Sequence, residues 1–95
     1  MKFTKRAWCE ERLLELHPEA LFLDGFDAAI LGLTCEDDPR VVYDEEAMVG
    51  ILVDEGATAE EAYDHLSYNV YGSMRPDPEY PIIIRIPTAD DWYEG

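Results

Sequence analysis

The stretch VVYDEEAMVGILVDEGATAEEAYDHLSYNVYG, residues 41–72, holds the end of one strand and two helices in succession. Asp44 is placed to cap the first of these helices, because its carboxylate can accept a hydrogen bond from an otherwise orphaned amide of the first turn. Glu45 and Glu46 follow in that turn, where the helix dipole favours negative charge. Ala47, Met48, Ile51 and Leu52 form an apolar stripe, and Gly56 supplies a C-terminal stop. Thr58 and Glu61 then stand at capping-box spacing. Ala62, Tyr63, Leu66 and Val70 give the second helix its apolar face before Gly72 ends it. With only about two residues between them, the two helices are expected to form a tight hairpin.

Working outward, AAILGLT (28–34) and RVVYD (40–44) are separated by the turn-forming cluster CEDDP, which predicts an antiparallel strand pair. PIIIRIP (81–87) is β-branched and bounded by prolines, as suits a third strand; RPDPEYP (75–81) reads as the loop that aims it. Near the start, Thr4 can cap a helix to about Leu16, with Trp8, Cys9, Leu13 and Leu16 at helical spacing and Pro18 beyond its end. Lys5 and Arg6 sit at the positive end of that helix, against its dipole, so they either accompany a fraying end or serve another purpose. The sum is an α+β fold over residues 1–95 as one domain: a small antiparallel sheet of about three strands against about three helices, two of them a hairpin. The tail TADDWYEG carries Trp92 and Tyr93 between acids, to dock on the fold or to anchor a partner.

LFLDGFDAAILGL (21–33) places Asp24 and Asp27 around a Gly-Phe pair. Asp-Gly is a turn signal, since glycine accepts positive φ and aspartate bonds nearby amides, while Leu23 and Phe26 can point inward. These two aspartates are therefore read as a fold-defining corner, with Asp27 opening the next element, and not as a reactive pair.

Chemistry is sparse. The chain has no G-x-S-x-G, H-E-x-x-H, P-loop or dinucleotide fingerprint, and no calcium-loop spacing. Cys9 and Cys35 lack C-x-x-C spacing and are expected to be reduced thiols. His17 precedes a proline at a helix end; His65, with Tyr68 and nearby carboxylates, is the one candidate for catalysis. No cofactor or metal is expected. The absence of a long apolar run makes the cytoplasm the expected location.

Charge is the strongest signal. Twenty-two acids against seven Lys and Arg give a net charge of -15. Such a field repels nucleic acid and anionic membrane and favours a basic surface. Glu36, Asp37, Asp38, Asp44, Glu45, Glu46, Asp54, Glu55, Glu60, Glu61 and Asp64 concentrate it, with Arg40 the sole base among them. These carboxylates are the candidate partner-binding residues, because rows of them on helix starts and a turn can imitate a phosphate backbone.

EALFLDGFDAAILGL, the stretch 41–72 and PIII together resemble a family of small acidic proteins of bacteriophages and prophages, over roughly residues 19–84. LDGFD, VYD and EEAYDHLSYNVYG are the most specific parts. The family brings no activity and no catalytic residues; the run CEDDP departs from its more neutral turn. The resemblance implies a phage protein, and small acidic phage proteins include inhibitors of host defence. The expected function is a noncatalytic inhibitor of a basic, nucleic-acid-handling host complex, most concretely an anti-CRISPR protein that mimics DNA. Two alternatives stand beside it: a phage interaction module using an apolar patch around Tyr68, Tyr71, Trp92 and Tyr93, and a small enzyme using His65.

Overall fold

The computed structural model describes residues 4–88, so the expectation for Trp92 and Tyr93 lies outside the described residues. Helix α1 (Lys5–Leu16) starts as expected, with Thr4 Oγ1 accepting from the Ala7 amide at 3.1 Å. Its basic first turn has a structural use. Lys5 Nζ donates to the Ala28 carbonyl at 2.9 Å, and Arg6 donates to Asp27 Oδ1 at 3.0 Å while lying 3.8 Å from the centre of the Phe22 ring. Both cations fasten the corner formed by residues 24–28. There Gly25 adopts φ +86°, a region that favours glycine, and Asp27 opens a single 3-10 turn, Asp27–Ala29.

Strand β1 (Ile30–Leu33) pairs antiparallel with β2 (Val41–Asp44). Ile30 faces Tyr43 and Gly32 faces Val42, so β1 carries one extra residue, a bulge. The acidic turn between them is clipped shut by Arg40, whose amide donates to Thr34 Oγ1 at 2.9 Å and whose guanidinium grips both oxygens of Glu36 at 3.1 Å. His17, at the end of α1, is buried and donates its Nδ1–H to the Pro39 carbonyl at 2.9 Å, tying the helix to the same turn.

Helix α2 (Glu45–Asp54) is capped by Asp44, which accepts from the Glu46 amide at 3.1 Å. Helix α3 (Ala59–His65) has both halves of its capping box: Glu61 N–H to Thr58 Oγ1 at 3.1 Å and Thr58 N–H to Glu61 Oε1 at 2.9 Å. Thr58→Ala removes an acceptor that no neighbour replaces. It is expected to cost about 0.5–2 kcal/mol and to lower Tm by about 4–8 °C per kcal/mol in a calorimetric scan.

Two features depart from the sequence expectation. The third helix does not run as an α-helix to Val70. After His65 it widens into a π turn, Leu66–Val70, in which the Tyr71 amide reaches back to the Leu66 carbonyl, and then tightens into a 3-10 turn, Tyr71–Ser73. A π turn brings position i+5 back toward the face of position i. Tyr71 thereby shares a side with buried Leu66 instead of turning to solvent. The second departure concerns the sheet, which is mixed and not wholly antiparallel. β3 (Ile82–Ile84) runs parallel to β2, with Val42 opposite Ile82 and Asp44 opposite Ile84, in the order β1-β2-β3. The helical hairpin returns the chain to the end of β2 that it left, where Tyr71 meets Glu45; residues 74–81 then run back to the β1–β2 turn, with Pro76 and Pro78 beside Asp37 and Asp38, so β3 enters the sheet in the direction of β2.

The α+β class stands, with helices packed against a three-stranded sheet around one buried cluster. Tyr43, Ile30, Met48 and Leu66 are its largest fully buried side chains. On α2 the buried stripe is Met48 and Val49, with Ala47, Ile51 and Leu52 half-buried around them. Cys9 is buried and Cys35 exposed; both are free thiols, and burial pushes the Cys9 thiol up from its ordinary pKa. Among the described residues no helix is long and apolar enough to cross a membrane.

Candidate functional site

Glu45 is the first residue of α2, and the pairing of Asp44 with Ile84 sets it beside the end of β3. Arg85, the next residue after β3, donates its Nε–H to Glu45 Oε1 at 2.8 Å. From the opposite side the π turn delivers Tyr71, whose hydroxyl donates to Glu45 Oε2 at 2.6 Å. The carboxylate is thus held at both oxygens. Its side chain is 6% exposed, whereas that of Arg85 is 82% exposed. Next to this pair, Tyr63 of α3 donates to Glu46 Oε1 at 2.7 Å.

The Arg85 hydrogen bond holds the Glu45 carboxyl below the usual carboxylate range, against burial, which acts the other way; the Tyr71 bond assists. Burial, followed by the same hydrogen bond to Glu45, pushes the Tyr71 phenol well up. A carboxylate whose folded pKa is depressed stabilises the fold above its unfolded pKa, about 4.3. That contribution disappears as pH falls through the lower folded value. Urea midpoints measured from pH 6 down to pH 3 are therefore expected to fall less steeply for Glu45→Gln than for the unaltered chain.

Two grooves flank the Glu45–Arg85 pair and share both residues. One, of about 550 Å³, is walled by Tyr71, Met74, Ile83 and Ile84. The other, of about 640 Å³, is walled by Glu46, Tyr63, Ile86, Pro87 and Thr88.

The candidate acids do not all share one surface. Glu45 is buried, which corrects its expected place in the displayed set: the β-branched β3 and the π turn close over it from residues far away in sequence. Glu36 is held by Arg40 and by the Thr34 hydroxyl, Asp44 and Glu61 cap helices, and Glu46 accepts from Tyr63. Asp37, Asp38, Asp54, Glu55, Glu60 and Asp64 are exposed, and among the described residues no hydrogen bond or ion pair engages their carboxylates. Asp54, Glu55 and Glu60 flank the α2–α3 connection, whereas Asp64 lies near the far end of α3, next to Tyr63, which reaches Glu46 at the start of α2. Asp37 and Asp38 stand apart in the β1–β2 turn, beside Arg40, Pro76 and Pro78. Eight residues of α2, about 12 Å at 1.5 Å per residue, separate Glu46 from Asp54.

Most of the described cations are engaged within the chain, although Lys5, Arg12, Arg75 and Arg85 are exposed. Lys5, Arg6, Arg40 and Arg85 each bond an internal acceptor, and Arg12 lies 3.9 Å from the Trp8 ring centre. His65 is exposed, with its Nδ1 3.3 Å from Asn69 Nδ2, and Tyr68 beside it is 81% exposed. Among the described residues no group of three His, Cys, Asp or Glu is placed to hold a metal. Sequence reasoning overlooked Arg85 and gave Tyr71 only to an apolar patch; Glu45, set between Asp44 and Glu46, carries no local signal for either contact. Protein-family models, curated proteins and solved structures give no match to this chain.

Proposed function

We propose that the protein is a noncatalytic binding module that presents exposed carboxylates to the basic surface of a nucleic-acid-handling host complex in the host cytoplasm, most concretely as a phage-encoded anti-CRISPR protein that mimics DNA. The observation that carries this reading is the division of charge. Lys5, Arg6, Arg40 and Arg85 are each engaged by an acceptor of the chain itself, while Asp37, Asp38, Asp54, Glu55, Glu60 and Asp64 are exposed without partners among the described residues. At a net charge of -15 the exterior is negative on balance, with Lys5, Arg12, Arg75 and Arg85 the exposed cations among the described residues. A basic groove that releases counterions when it binds DNA would release them on meeting such a surface. The resemblance to small acidic phage proteins agrees with the same reading.

The test is capture from a bacterial lysate at low and high salt, followed by identification of the retained complex. Retention of a nucleic-acid-handling complex that weakens steeply between about 50 and 200 mM salt is expected. Retention indifferent to salt would overturn the reading. Should that salt-indifferent capture depend on Tyr68, exposed on the π turn, an interaction module of apolar character takes its place.

A further inference from the structure

We infer that the Glu45 groove is a receptor for a guanidinium group, in which an arginine side chain of the basic partner displaces Arg85 from the Glu45 carboxylate. The inference rests on the proposed function for the identity of the partner, and on the groove itself for the chemistry.

The pair is lopsided. Glu45 has already been withdrawn from water by the fold, and Tyr71 fixes one of its oxygens, so Oε1 remains aimed at a single donor. The donor now in place, Arg85, has a side chain that is 82% exposed. An exposed cation gains little from an ion pair and keeps its hydration when released. The carboxylate, in contrast, is costly to leave without a cation. A site of this kind exchanges one guanidinium for another at small cost.

The walls suit the same occupant. Tyr71, Met74 and Ile83 on one side, and Tyr63 with Ile86 and Pro87 on the other, offer apolar and aromatic surface beside the carboxylate. An arginine lays its methylene stem on apolar surface while its planar head meets a carboxylate or an aromatic face. Glu46, adjacent, adds a second negative charge, and the chain as a whole repels anions. Charge complementarity therefore selects a cation, and the groove's geometry a planar one on a long apolar stem.

The probe is N-acetyl-arginine amide, titrated into the full chain labelled with nitrogen-15, with N-acetyl-citrulline amide as its uncharged isostere. Amide shifts at Glu45, Tyr71 and residues 83–85 are expected with the arginine probe and not with citrulline. Arg85→Ala vacates the site. Apparent affinity should then rise about tenfold, as for a site that is competent in a minor fraction of molecules until its internal occupant is removed. Equal affinity in Arg85→Ala and the unaltered chain would overturn the inference, as would an equal response to citrulline or shifts confined to residues 54–64. Glu45→Gln is expected to abolish the response; if that variant does not fold, the citrulline comparison on the unaltered chain decides alone. Probe binding at Glu45 without salt-dependent capture leaves the groove standing and sinks the proposed function. Salt-dependent capture with a probe-silent groove does the reverse.

Discussion

Tyr43→Ala is expected to cost about 3–5 kcal/mol, the range for deleting a large buried aromatic side chain. Tyr43 has no exposed surface and sits on β2, the central strand, between Val42 and Asp44, which set the register with β3. Its hydroxyl also accepts the Leu23 amide hydrogen at 2.8 Å, so the same residue anchors the chain leading into the Asp24–Gly25 corner. Measured against a total stability of about 5–15 kcal/mol for a small domain, the loss leaves a marginal fold. Tyr43→Phe keeps the ring and leaves the Leu23 amide without its acceptor, for about 1–3 kcal/mol. Urea denaturation of both variants separates packing from the hydrogen bond. If the two cost the same, the bond dominates and the packing argument fails.

Neutralising Asp54, Glu55, Glu60 and Asp64 together, to Asn or Gln, is expected to move binding and stability in opposite directions. Exposed charge pairs contribute about 0.2–1 kcal/mol each. Four of them removed together should weaken capture of a basic partner about tenfold or more. Stability should rise, because four of fifteen net negative charges are gone and the compact state repels itself less. Asp54 and Glu55 add to that gain: they stand at the C-terminal end of α2, where the helix dipole disfavours carboxylates. Glu60, in the first turn of α3, partly offsets it. Thermal scans and salt-dependent capture on one preparation check both signs. A variant that binds as before has its partner elsewhere; one that both binds and folds worse points to structural damage.

Local signals were legible in the sequence. The caps at Thr4 and Asp44, the Thr58–Glu61 box and the Asp24–Gly25 corner are each decided within a few residues, and each forms as expected. What was not legible depends on distance. β3 was found as a strand, but its direction was fixed by the return of residues 74–81 to the start of β2 and not by PIIIRIP itself. The burial of Glu45 follows from Tyr71 and Arg85, twenty-six and forty residues away. By its own neighbours Glu45 is an ordinary first-turn acid, indistinguishable from Glu46. The π turn has the same origin: apolar spacing through Leu66 and Val70 fits an α-helix, and the widening satisfies a tertiary contact made by Tyr71. Even the basic start of α1, unfavourable to the dipole, makes sense only once Ala28 and Asp27 are folded beneath it.

The position of β3 also bears on synthesis at the ribosome. β2 emerges long before the strand that covers its second edge, so the nascent chain carries an open row of backbone donors and acceptors, with Val41 and Tyr43 beside it, until residues 82–84 arrive. Bare edges of this kind recruit other chains. Every acid from Glu36 to Asp64 flanks or follows that edge and is translated before it closes. Charges in such places act as gatekeepers against edge-to-edge pairing. The acids from Glu36 to Asp64 are thus already in the chain while the sheet is incomplete, where charge disfavours edge-to-edge pairing.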